Sequence, residues 1–181
     1  MQVENVTEKK IDARILYESC PLCGSKNFVK SIVGDCSQHT LYHSIVPPKM
    51  QWMDCEDCKH QFIDGYLTKE AAELVFTTTP DYLKVGNEIE KNRYVSSEII
   101  EKVLPYKSKG VWLDVGFGNG SLLFTAHEYG FEPIAVDLRK ENVSIMQKLG
   151  IKGYSGLVQD IKFEKPISVI SMMDVVEHIP Y

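Results

Sequence analysis

Val111-Trp112-Leu113-Asp114-Val115-Gly116-Phe117-Gly118-Asn119-Gly120 is an apolar strand that runs straight into a triple-glycine turn, with an aspartate at its lip. Backbone approaches a bound ligand closely only where side chains are absent, so Gly116, Gly118 and Gly120 mark a loop that cradles a cofactor. Asp114 sits two residues before the first glycine, near the carboxyl end of the strand. In open α/β sheets ligands bind at that end.

Outward from this stretch the elements alternate. Ser121 to Tyr129 reads as a helix stopped by Gly130, and Pro133 to Val136 as a second strand. A helix from about Lys140 to Leu149 follows, with Gly150 as its stop. A third short strand lies near Tyr154 to Val158, and a fourth is Ile167 to Met172. Continuous apolar strands alternating with helices predict an α/β fold with a parallel sheet buried on both faces.

Upstream, Leu67 to Phe76 is helical in pattern and Thr77-Thr78-Thr79-Pro80 breaks it. A longer helix is expected from Asn87, because Asn87-x-x-Glu90 has the form of a capping box. Ile89, Val95, Ile99, Ile100 and Val103 give it an apolar stripe, and Pro105 ends it. The chain thus divides into a turn-rich, cysteine-bearing module over residues 1–64, a helical linker over 65–106 and an α/β domain over 107–181.

The 181 residues are 44% apolar, with no uninterrupted apolar run long enough to span a bilayer. The amino terminus, Met-Gln-Val-Glu-Asn, lacks the basic segment and apolar core of a secretory signal. A soluble, cytoplasmic protein is expected. The formal net charge of −5 argues against a broad nucleic-acid surface.

Four of the five cysteines fall in two pairs, Cys20-Pro21-Leu22-Cys23-Gly24 and Cys55-Glu56-Asp57-Cys58-Lys59-His60. A Cys-x-x-Cys turn lets both thiolates face one ion, and two such turns complete a tetrahedron. Glycine after the first pair eases its turn. A redox pair or buried thiols would not account for two pairs, and no βαβ pattern surrounds either. The spacing predicts a zinc ribbon with a closed, structural site; iron is the alternative, since sulfur-only tetrahedral sites also suit it. Cys36 reads as a small core residue. His39, His43 and His60 are candidate substitutes in a site that four cysteines already close. Residues 1–64 carry seven basic side chains against nine carboxylates, a net of −2, the wrong sign for binding phosphates.

Two kinds of cofactor site use a strand, a glycine turn and a helix. A nicotinamide dinucleotide site expects G-x-G-x-x-G, whereas here the spacing is G-x-G-x-G and the third dinucleotide position falls on Ser121. Asp114 would also crowd a pyrophosphate, while it suits a ligand with a cationic end. Arg139 beside Asp137 keeps the dinucleotide alternative open.

With those residues in view, the sequence resembles the class I S-adenosylmethionine-dependent methyltransferases from about Asn87 onward. Leu113 to Gly120 is similar to their first motif. The resemblance implies that Asp137, ending Ile134-Ala135-Val136-Asp137, holds both ribose hydroxyls with Leu138 beside it. It also implies that Gln159-Asp160-Ile161 meets the adenine ring, with Asp160 accepting from the exocyclic amine. A partial Rossmann-like sheet of about four strands, preceded by the zinc ribbon, is the implied architecture. An amino-terminal Cys-x-x-Cys ribbon joined to such a domain resembles a bacterial group linked to surface sugars and secondary metabolites, which implies a small-molecule or sugar-conjugate acceptor.

Met173-Asp174-Val175-Val176-Glu177-His178-Ile179-Pro180 is similar to the family's fourth motif, beside the transferred methyl group. In a helical turn Asp174 shares a face with Glu177 or His178. His178 is the candidate general base, because neutral imidazole takes a proton near pH 7. A similar E-x-x-E-H element binds a divalent ion in ubiquinone-biosynthesis and small-RNA O-methyltransferases, and here Asp174 stands in the first position. The alternative is a helix-cap carboxylate and a packed histidine. The resembled family continues past this point with three more strands, so a truncated product with an incomplete acceptor site is expected. Its fourth strand would then be a bare edge open to self-association.

The leading expectation is a methyltransferase. An RNA methyltransferase gripping RNA through the ribbon and a non-catalytic zinc- and cofactor-binding module are the rivals. The helix from Asn87 to Leu104 is expected over the cofactor mouth, with Arg93, Tyr94 and Tyr82 as contacts.

Overall fold

The computed structural model describes residues 13–179, which form two compact units that meet in sequence at Val75 and Phe76. Pro180, the last residue of the Asp174–Pro180 motif, and Tyr181 lie outside the described residues.

The first unit is built from short strands. β1 (Arg14–Leu16) precedes the first cysteine pair, and β2 (Phe28–Asp35), β3 (Lys49–Cys55) and β4 (Gln61–Ile63) form an antiparallel sheet in the order β2-β3-β4. β5 (Gly65–Leu67) returns to pair antiparallel with β1, Leu16 opposite Gly65. A Cβ on Gly65 would lie 2.3 Å from the Ile15 carbonyl oxygen, so only glycine allows that pairing. Leu67 therefore ends a strand and does not begin a helix. α1 (Lys69–Thr77) starts two residues later, where the Thr68 hydroxyl accepts from the Ala71 N–H.

The second unit is mixed α/β. α2 (Ile89–Val103) leads into a four-stranded parallel sheet made of β6 (Gly110–Val115), β7 (Phe131–Asp137), β8 (Lys152–Ser155) and β9 (Ile167–Ser171). The spatial order is β8-β7-β6-β9, with α3 (Ser121–Glu128) and α4 (Lys140–Lys148) between the strands in sequence. Side chains alternate across the sheet. Trp112, Phe131 and Ala135 face Ile100, Leu122, Leu123, Ala126, Val143 and Met146, the helical side of the core. Val111, Leu113, Ile134 and Val136 point the other way, toward Tyr154, Val158, Ile161 and Phe163. β9 stands at the sheet edge, and Ile170, beside Leu113 in register, is 56% exposed.

Three further details differ from the sequence expectation. Asn87 does not cap α2: its amide donates to the Asp81 carbonyl, and Glu88 precedes the helix in a left-handed conformation with φ 48°. Val95 is exposed, and the buried face of α2 is instead Ser96 and Ile100. The Ser96 and Ser121 hydroxyls meet at 3.0 Å, and so small a pair lets α2 and α3 approach closely. The third strand ends at Ser155, because Gly156 turns the chain with φ 136° and Val158–Asp160 winds into a 3-10 turn.

No helix among the described residues is long and apolar enough to cross a membrane. Leu123 is fully buried between α3 and the sheet. Leu123→Ala is expected to destabilise the second unit by about 2–5 kcal/mol. Urea unfolding read by Trp112 emission in a Trp52→Phe background measures it, and a midpoint unchanged from the parent would exclude this core.

Candidate functional site

The four paired cysteines converge in the first unit. The Sγ atoms of Cys20, Cys23, Cys55 and Cys58 all lie within 4.8 Å of one another, with Cys20 to Cys58 at 3.7 Å and Cys23 to Cys55 at 3.6 Å. A tetrahedron with metal–sulfur bonds of about 2.3 Å has edges of about 3.8 Å. These separations match that figure and far exceed a disulfide bond of about 2.0 Å. The four thiols could therefore hold a metal such as zinc.

Local backbone explains why they converge. In the first turn the Gly24 N–H donates to the Cys20 carbonyl and the Cys20 N–H to the Ser25 carbonyl. In the second, the Lys59 N–H donates to the Cys55 carbonyl and the Cys55 N–H to the His60 carbonyl. The two turns repeat one hydrogen-bond pattern, residue for residue, and the fifth position is left-handed in both, with φ 73° at Gly24 and 63° at Lys59. Lysine accepts that conformation at a cost of about 1–2 kcal/mol, which the paired turn must offset.

The turns are clasped together by polar side chains. The Ser25 hydroxyl donates to Asp57 at 2.5 Å, the Asn27 amide donates to the same carboxylate at 3.0 Å, and the Glu56 N–H donates to the Asn27 carbonyl. Ser25 and then Asn27 hold the Asp57 carboxyl below its ordinary range. The Cys58 N–H, helped by that of Asp57, favours the Cys55 thiolate and brings it to about 7 against burial. Cys23 goes the other way: the Ser25 N–H favours its thiolate, but the neighbouring thiols and burial push it up to about 12. Four thiolates at this spacing repel, and a bound cation reverses that penalty. Cys36 is not a core residue. It is half-buried and its thiol donates to the Pro48 carbonyl at 3.1 Å.

The second site lies at the carboxyl ends of β6 and β7. After Val115 the chain turns through Gly116, Gly118 and Gly120, all left-handed, with φ 71°, 56° and 83°. A Cβ on Gly116 would meet a Val175 methyl at 2.5 Å, so the position excludes any side chain twice over. The turn is bolted beneath the segment Leu83 to Asn87. The Asn142 amide donates to the Leu83 carbonyl at 2.7 Å and the Gly118 carbonyl at 3.3 Å. The Asn119 amide donates to the Asn87 carbonyl, and the Gly86 N–H to the Asn119 carbonyl.

Asp114 and Asp137 are both buried, at 3% and 4% exposure. The Ser171 hydroxyl donates to Asp114 at 2.7 Å and itself accepts from the Trp112 indole N–H at 2.8 Å. Burial pushes the Asp114 carboxyl up to about 7; Ser171 opposes the shift and Asp137 adds to it. Asp137 is likewise raised by burial, against Arg139, whose guanidinium lies 3.1 Å from it and whose N–H donates to it at 2.8 Å. Two carboxylates beside bare backbone make a site suited to cations and hydroxyl donors and unsuited to phosphate.

The other expected residues fall around this end of the sheet. Leu138 precedes Arg139, Asp160 is exposed in the 3-10 turn, and Ile161 packs partly into the core below the sheet. Asp174 follows β9 with φ 52°, and only Val176–His178 is helical. A shared helical face is therefore not formed. Among the described residues only the four cysteines make a cluster of metal-ligating groups, so Asp174, Glu177 and His178 are not gathered for an ion. The His178 ring tilts against Phe76 at 5.1 Å. Arg93 pairs with Glu90 and Glu128, Tyr94 is 68% exposed and bonded to Glu98, and Tyr82 is exposed. It is the Leu83–Asn87 segment, not α2, that covers the glycine turn. Ser171 and Asn142 carry no motif that marks them in the sequence, though Asn142 is a polar residue on the buried face of α4; Arg139, which the sequence sets beside Asp137, proves to be its ion-pair partner.

The chain matches no model of a known protein family and no curated protein.

Asp114 gives a test of the buried carboxylate. Its folded pKa lies above its unfolded value, so the folded state binds the extra proton between the two. Its ionisation then costs stability as pH rises from about 4 to about 7, and the cost vanishes as pH falls. Asp114→Asn is expected to raise the melting temperature at pH 8 and to flatten its pH dependence over that window. Equal melting profiles for the two proteins would refute the buried, raised carboxyl.

Proposed function

We propose that the chain binds S-adenosylmethionine at the carboxyl ends of β6 and β7 and acts as a methyltransferase, with a structural zinc ion on Cys20, Cys23, Cys55 and Cys58. The observation that carries this reading is the pair of buried carboxylates, Asp114 and Asp137, flanking a turn of three left-handed glycines. A dinucleotide would set a pyrophosphate against them. S-adenosylmethionine offers an ammonium, a sulfonium and a ribose diol, and a cation near Asp114 favours its ionised form.

In this reading Asp137 accepts from both ribose hydroxyls, a task for which a carboxylate has enough lone pairs. Asp160 accepts from the adenine amine, with Leu138 and Ile161 as apolar neighbours. Gly116, Gly118 and Gly120 supply the left-handed backbone that turns the chain at the end of β6. When bound, the cofactor supplies an electrophilic methyl group. The chain's own work is then orientation, which gives most of the rate. His178, exposed after β9, removes a proton from an acceptor hydroxyl or amine that arrives protonated, with Glu177 and Asp174 as the acidic residues of the same segment.

The acceptor is a small molecule or sugar conjugate; a net charge of −2 over residues 1–64 disfavours RNA. A four-thiol metal site suits a reducing compartment, and the cytoplasm fits it.

Calorimetric titration with S-adenosylmethionine, with NAD for comparison, tests the cofactor. Saturable binding is expected, weakened about tenfold or more in Asp114→Asn, as for the loss of a charged partner. Binding of NAD in its place, or no binding by the folded chain, would sink the reading. For the ribbon, elemental analysis is expected to find one zinc per chain, lost in Cys55→Ser together with the fold of the first unit. Iron at that stoichiometry would overturn the choice of metal.

A further inference from the structure

Arg139 precedes α4 at its N-cap and is nearly buried, with its side chain 10% exposed. Its guanidinium Nη1 reaches Asp137 Oδ2 at 3.1 Å and Oδ1 at 3.3 Å. Its Nε donates to the Thr78 carbonyl at 3.1 Å. One side chain therefore links the end of β7 to the segment that follows α1. Thr77, Thr79, Leu138, Lys140 and Glu141 line the hollow beside it.

We propose that Arg139 is a positioning residue for Asp137, holding that carboxylate in place for a diol-bearing ligand and anchoring the Thr78 segment against it. This rests on the reading that Asp137 takes the ribose hydroxyls. A diol donates two hydrogen bonds, so it needs the carboxylate ionised and its lone pairs correctly aimed. Burial works against ionisation, and a guanidinium at 3.1 Å works for it. The charged group acting on Asp137 is Arg139 from its own turn, and Asp114 on the adjoining β6 is a like charge whose own carboxyl Asp137 pushes up. Without Arg139 the carboxyl titrates at higher pH, and the binding-competent form is lost as pH falls. At alkaline pH the carboxylate is ionised with or without its partner. A packing role alone would produce a loss that ignores pH.

The test compares the parent chain with Arg139→Met and Arg139→Lys. The Lys variant keeps the charge and stands in should the Met variant unfold. Titrations with S-adenosylhomocysteine, stable at alkaline pH, run from pH 6 to pH 8.5. Arg139→Met is expected to lose about tenfold in affinity at pH 6 and less than about threefold at pH 8.5. Arg139→Lys is expected to stay within about threefold throughout. A loss of equal size at all pH values, or none, would overturn the proposal. Without ligand, the carboxyl carbon resonance of Asp137 is expected to titrate at higher pH in Arg139→Met and near the parent midpoint in Arg139→Lys. An unchanged midpoint in Arg139→Met overturns the proposal even if the parent fails to bind the nucleoside, a result that would refute the cofactor reading separately.

Discussion

A hydrogen-bond chain runs across the sheet from the Trp112 indole through the Ser171 hydroxyl to the Asp114 carboxylate. All three side chains are buried, and they come from only two strands, β6 and β9. Parallel register sets Asp114 directly opposite Ser171, so the chain exists only if these strands pair as they do. An unpartnered carboxylate at this depth would cost several kcal/mol, and the serine reduces that cost without removing it. Asp114 therefore remains an uneasy group at the lip of the glycine turn, and a cationic ligand would relieve it. The Trp112 ring does a second job, packing edge-on against Phe131 at 5.0 Å in the helical-side core.

The same economy of position governs the cover of the glycine turn. Asn142 is 1% exposed on the inner face of α4, where an apolar residue would be the default. Its amide instead ties Leu83 to Gly118. With the Asn119 and Gly86 contacts, this fixes Leu83–Asn87 over the bare backbone. The polar groups are satisfied within the fold, which is why they can be buried. In the first unit, two turns with different side chains adopt one backbone form. Asp57 then joins them through Ser25 and Asn27, holding together four sulfurs that would repel one another as thiolates.

The parts of the protein set by local chemistry were legible in the chain. The glycine turn, the strands Val111 to Val115 and Ile167 onward, and the two Cys-x-x-Cys turns announce themselves, because φ constraints, apolar runs and thiol spacing act over a few residues. The sequence alone therefore determined that the sheet is parallel and that four cysteines could share an ion. It misplaced the start of α2, since Asn87 had two competing uses and its amide found the Asp81 carbonyl. It credited Val95 to the core, because helical periodicity cannot distinguish faces when a serine pair sets the closest approach.

Tertiary structure alone decided which side chains meet. Arg139 lies 61 residues from Thr78, Ser171 57 from Asp114, and Asn142 59 from Leu83. No local rule links such positions, and their contacts follow from strand order and register. For the same reason the Asp174, Glu177 and His178 spacing did not translate into a shared face: the backbone at Asp174 turns left-handed and only the last three residues wind into a helix. Spacing along a chain fixes geometry only where the backbone is regular, and here it is not.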